Sequence, residues 1–150
     1  MFPEWTLSHP VWHRLLGYIY VNAVLWMAAP SGLALATTAK GGLWGTIGFA
    51  LAGAFWWGTT WSGYCAIRRG DIPAHIRAMV RSYSWALSAP AFRSIQAILM
   101  LLGLEDTTNY IVSLWLSIVA SIWLAESYLH RSRRVAIQFG TNPSKAGVIL

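Results

Sequence analysis

The sequence predicts an all-α integral membrane protein built as a four-transmembrane-helix bundle with both termini cytoplasmic. Three observations predict it. Of 150 residues, 56% are apolar and 11% charged, which puts the composition outside the soluble range on both counts. The apolar residues fall into four stretches, each near the roughly 20 residues needed to cross a hydrocarbon core of about 30 Å. The basic residues collect at alternate ends of those stretches. His9, His13, Arg14, Arg68, Arg69, Arg77, Arg131, Arg133, Arg134 and Lys145 fall on one side, and Lys40, Glu105 and Asp106 on the other. The excess of Lys and Arg marks the first side as cytoplasmic.

The first helix is expected over Leu15 to Leu33. Ser8 or His9 can cap it, Pro10 suits a first helical position, and Trp12 suits the interface. Pro30, Ser31 and Gly32 should loosen its far end. Ala34-Leu35-Ala36 imitates a signal-peptide cleavage site, but the preceding region lacks the usual lysines, so a retained helix is expected. The second helix should run from about Gly41 to Ile67, with Gly41, Gly45, Gly48 and Ala52 forming a close-packing face.

A tight polar turn, Arg68-Arg69-Gly70-Asp71-Ile72-Pro73, follows, and Asp71 can cap the third helix. That helix, Ala74 to Leu104, carries Arg77, Arg81 and Arg93 into an apolar run, with Pro90 one turn before Arg93. An arginine at a helix centre in lipid costs about 2.5–3.5 kcal/mol on insertion scales, so Arg93 is expected to face the bundle interior or a wet cavity. The fourth helix, about Thr107 to Leu129, places Ser113, Ser117 and Ser121 at four-residue spacing on an inward stripe. Two units result: residues 1–130 in the membrane and a basic cytoplasmic tail, 131–150. Arg131, Arg133 and Arg134 open that tail as a cluster attracted to anionic lipid headgroups.

Several functions are poorly supplied. The net charge of +6 flanks apolar spans and forms no soluble patch, which argues against nucleic acid. Cys65 is the single cysteine, so no internal disulfide forms. There is no Gly-rich phosphate loop, paired-carboxylate arrangement or HExxH string.

Candidate sites rest on a few residues. Counting depth from the cytoplasmic ends pairs Arg81 with Glu126 and puts Asn22, Thr59 or Thr60, and Ser121 near Arg93. His13 and His75, on different helices at one membrane face, form a possible haem pair. His9, His13 and His75 form a possible metal set. Arg93 can hold an anionic or carbonyl-bearing group, such as a lipid phosphate, a quinone or a haem propionate. The ten tryptophans serve interfaces and packing before any cofactor.

The strings HRLLGYIYV and RRGDIPAHIRAMVRSYSWALSAPAFR resemble a bacterial family of predicted four-helix membrane proteins catalogued as domain of unknown function 2306. The matching positions are His13, Arg14, Gly17, Tyr20, Val21, Gly70, Asp71, His75, Met79, Arg81, Ser82, Tyr83 and Arg93. Tyr18 and Ala78 depart from it, standing where the family prefers arginine and tryptophan. The resemblance implies a location and a fold and no reaction. The expected function is therefore a small non-enzymatic accessory or interaction subunit of a bacterial cytoplasmic-membrane complex. The alternative is a haem b or quinone redox protein using His13, His75, Arg81 and Arg93, and transport ranks last.

Overall fold

The computed structural model describes residues 10–104 and 107–140, the last eight of these at the level of the backbone. His9, Glu105, Asp106, Lys145 and the side chains of Arg133 and Arg134 lie outside the described residues, and so does the tail beyond Gly140.

The described chain is all-helical and folds into four rods. The first comprises α1 (Pro10–Ala23), a π-helical turn (Val24–Ala28) and α2 (Ala29–Thr37). The others are α3 (Gly42–Arg68), α4 (Ile72–Leu101) and α5 (Thr107–Gly140). Two stretches, Val11–Thr37 and Thr107–Ser132, are long and apolar enough to cross a membrane. Gly42 to Ile67 carries no formal charge, but its Gly, Thr, Ser and Trp residues dilute its hydropathy, and the three arginines of α4 dilute that helix further.

The first rod runs past the expected end at Leu33 to Thr37, and Pro30 does not loosen it into a break. Proline lacks the N–H that an α-helix would donate four residues back. The wide turn immediately before it absorbs that defect, with the N–H of Ala29 bonding the carbonyl of Val24. Ser31 Oγ then donates to the Ala28 carbonyl at 2.9 Å, and the helix runs on to Thr37. The fourth rod likewise continues past Leu129 to Gly140, because Val135-Ala136-Ile137-Gln138-Phe139 contains no breaker. The helical backbone therefore runs on through residue 131, where the cytoplasmic tail is expected to begin.

Two turns are fixed by the same backbone device. After α3, Gly70 adopts φ 77°, its N–H bonds Ile67 O at 3.1 Å, and the N–H of Asp71 bonds Ala66 O at 3.0 Å. After α4, Gly103 adopts φ 81°, with Gly103 N–H to Met100 O at 3.0 Å and Leu104 N–H to Leu99 O at 3.0 Å. Each is a Schellman cap, in which glycine takes the left-handed conformation that a side chain would strain. Asp71 then caps α4 as expected, its carboxylate accepting from Ala74 N–H at 2.9 Å.

Helices α3, α4 and α5 contact one another, and the first rod leans on α3 alone through backbone contact. Among the described residues α1 makes no close backbone approach to α4 or α5. Trp85, Phe92, Leu114 and Ile118 form the buried centre, with Phe49, Trp56 and Tyr110 packed against it. Phe92 meets Phe49 edge-on at 5.9 Å and Tyr110 at 5.2 Å, pairs that contribute about 0.5–1.5 kcal/mol each beyond burial. The serine stripe faces inward as expected, with Ser113, Ser117 and Ser121 all buried. Lipid does not push helices together, so these small residues act by admitting close approach.

Candidate functional site: a closed hydroxyl chain beside an ion pair

Where α1, α3 and α4 meet, three hydroxyls and one indole form a hydrogen-bonded circuit. Trp56 Nε1 donates to Tyr20 Oη at 3.3 Å. Tyr20 Oη and Ser82 Oγ lie 2.8 Å apart, and Ser82 Oγ and Thr60 Oγ1 lie 2.6 Å apart. Thr60 Oγ1 donates back to the Trp56 carbonyl at 2.8 Å.

Proton counting fixes the direction. A hydroxyl has one proton to give, and Thr60 gives its own to a carbonyl that can only accept. Ser82 must then donate to Thr60, and Tyr20 to Ser82, so the chain leaves the Trp56 ring and returns to the Trp56 backbone. Thr60 and Ser82 are fully buried. Buried polar groups are stable in lipid only when satisfied, and this circuit satisfies all of its donors.

The helix α4 register serves each neighbour in turn. Arg81 Nε donates to Glu126 Oε1 on α5 at 2.7 Å, Ser82 points to α3, and the Tyr83 ring lies 4.7 Å from that of Tyr20. Two turns earlier, His75 Nδ1 lies 2.8 Å from the Gly63 carbonyl. That oxygen can only accept, so Nδ1 carries the proton. Met79 packs on Gly63, where an added Cβ would stand 2.8 Å from its sulfur.

The pair of Arg81 with Glu126 is the one expected from depth. Its side chains are 43% and 53% exposed, so screening limits it to about 1 kcal/mol. A double-mutant cycle through Arg81→Ala and Glu126→Ala, read from unfolding in detergent, should give a coupling energy of about that size. Strictly additive single effects would remove the pair from the stabilising contacts.

Arg93 is placed differently from the expectation. It stands 21 positions after Ile72 and 8 before Leu101, so at about 1.5 Å per residue it lies about 12 Å from the far end of α4. Thr60 is level with Ser82, about 16 Å below Arg93 on the same scale. Thr60 and Ser82 stand 8 and 10 residues from the turn that joins α3 to α4, whereas Arg93 stands 21 residues from it, so the expected level of Thr60 with Arg93 does not hold. Arg93 is also exposed and lines an open cleft with Lys40, Gln96, Thr107 and Asn109.

The histidines are not brought together by any contact among the described residues. His13 is exposed on α1, two turns before the point where Tyr20 meets Ser82 of α4, and His75, two turns before Ser82, is tied to α3 through Gly63. Among the described residues no group of three His, Cys, Asp or Glu is placed to hold a metal ion. His9, the third member of the expected metal set, lies outside them. Of the tryptophans, Trp85 is buried and Trp56 bonds Tyr20, whereas Trp26 and Trp123 are 78% and 69% exposed and face outward.

The circuit itself was missed by sequence reasoning, although its members were visible. Tyr20 and Ser82 belong to the strings that carry the resemblance, and Thr60 stands among the residues expected near Arg93. The missing signal was the pairing of Tyr20 with a serine 62 positions away.

These features define an all-helical membrane protein whose buried polar groups are satisfied within helices, as at Ser117 and Ser121, and between them, as at Thr60 and Ser82. The model of a family described as predicted membrane protein, domain of unknown function 2306, matches residues 2–129, and the chain belongs to that family. No curated protein and no solved structure matches it.

Proposed function

We propose that the chain crosses the bacterial cytoplasmic membrane four times with both ends inside, and serves there as a non-enzymatic interaction subunit. The observation that carries this reading is the use made of the family-matching residues. Tyr20, His75, Met79, Arg81, Ser82 and Tyr83 each engage another helix. The donors of the circuit are consumed by one another, so it fixes helix geometry and offers no proton to a bound substrate. The outward faces of the first rod, including Val11, Ile19, Trp26 and Met27, remain apolar and uncovered, which supports contact with lipid and with other membrane chains. The positive ends, including Arg131, support a cytoplasmic leaflet of anionic lipid on that side.

Two measurements test this. Alkaline phosphatase fused after Lys40 should be active and after Arg69 inactive, with a C-terminal green fluorescent fusion bright; the inverse pattern overturns the topology. The tagged chain, extracted from its own membranes in mild detergent, should migrate with a second membrane polypeptide in fixed stoichiometry. Migration as a lone 16.6 kDa chain overturns the subunit role.

A further inference from the structure

At the end of the molecule remote from the circuit, two helices and the turn before α3 leave a cleft of about 620 Å³. Its wall holds the guanidinium-bearing Arg93 of α4, Lys40 from the turn before α3, the Gln96 amide and Thr107, the first residue of α5. Both cations are exposed, and no carboxylate of the described residues lines the cleft. The Asn109 amide is already spent, donating to Leu104 O at 2.8 Å and Gln96 O at 3.2 Å.

Electrostatics there point one way. The first turn of a helix has N–H groups without partners and carries about half a positive charge. Here the start of the 34-residue α5 opens on the same cleft as two full cations. Such a helix end is suited to an anion, arginine supplies a planar fork that fits phosphate oxygens, and lysine supplies a point charge. Met100 in the wall and Leu101, 87% exposed beside it, give an apolar margin.

We infer that this cleft binds a phosphate-bearing anion through Arg93 and Lys40. The phosphate comes from the headgroup of an anionic phospholipid in the adjacent leaflet or from a soluble phosphate. Glu105 and Asp106, which precede Thr107 and lie outside the described residues, are the natural competitors for the two cations.

The full chain in a neutral detergent is titrated separately with dihexanoyl phosphatidylglycerol and with inorganic phosphate, following thermal unfolding and native mass spectrometry. Phosphatidylglycerol is expected to raise the melting temperature and to appear as a one-to-one adduct. R93Q and K40Q should each weaken the apparent affinity about tenfold, the scale of one lost charge-assisted contact, and R93K should retain part of it. Stabilisation by phosphatidylglycerol alone assigns a headgroup, and stabilisation by inorganic phosphate as well assigns a soluble source. The inference is overturned if neither ligand shifts the wild-type melt. It is equally overturned if both variants bind like wild type, or if binding emerges only in Glu105→Gln with Asp106→Asn. Because the site is distant from Ser82 and Arg81, its failure leaves the subunit reading standing.

Discussion

Ser82→Leu should destabilise the protein by about 3 kcal/mol, the largest loss expected from a single change in the circuit. Ser82 is fully buried, and its Oγ stands 2.6 Å from Thr60 and 2.8 Å from Tyr20. Leucine adds bulk where neighbours already touch, and overpacking a tight core costs about 1–3 kcal/mol. It also strips the half-buried Tyr20 hydroxyl of its acceptor, adding about 0.6–1.7 kcal/mol, the scale of one interhelical hydrogen bond in a bilayer. Ser82→Ala separates the two terms. Alanine removes the same acceptor of Tyr20 but adds no bulk, so it should cost only the hydrogen-bond share, about 0.6–1.7 kcal/mol, the range of interhelical hydrogen bonds in bilayers. Unfolding of the detergent-solubilised protein reads both. Equal effects of Leu and Ala would mean that the site is looser than its distances say.

What the sequence made legible was whatever depends on local chemistry. Asp71 caps α4, Gly70 closes the preceding turn, and the serines of α5 face inward, because each follows from a residue type and its immediate neighbours. The partnership of Arg81 with Glu126 was also legible, since both lie near the same end of adjacent helices. Relative depth between helices was not. The level of Arg93 becomes clear once Thr60 is seen beside Ser82, 11 residues before Arg93, and a single sequence does not display which residues of two helices face each other. The wide turn before Pro30 was hidden for a related reason: proline announces a defect, but only packing decides whether the helix ends or widens. The circuit through Tyr20, Ser82 and Thr60 needed all three registers at once.

The same missing register gives the second large prediction, in which one substitution changes sign within one helix. Glycine to alanine in a helix interior ordinarily stabilises by about 0.5–1 kcal/mol, because alanine has less backbone freedom to lose. Gly58, on the exposed face of α3, has nothing within 4 Å of an added Cβ, so Gly58→Ala should follow that rule. Gly45, one turn into the same helix, is buried, and an added Cβ would collide with the Lys40 carbonyl. Backbone oxygen cannot swing aside as a side chain can, so Gly45→Ala should cost about 3 kcal/mol through distortion of the turn before α3. That turn carries Lys40 to the cleft, and the same substitution should therefore weaken anion binding there while leaving the Ser82 circuit intact. Paired unfolding measurements on the two variants decide it. If Gly45→Ala stabilises as Gly58→Ala does, the close approach of α3 to Lys40 is absent from the folded protein, and the geometry of the cleft has to be redrawn.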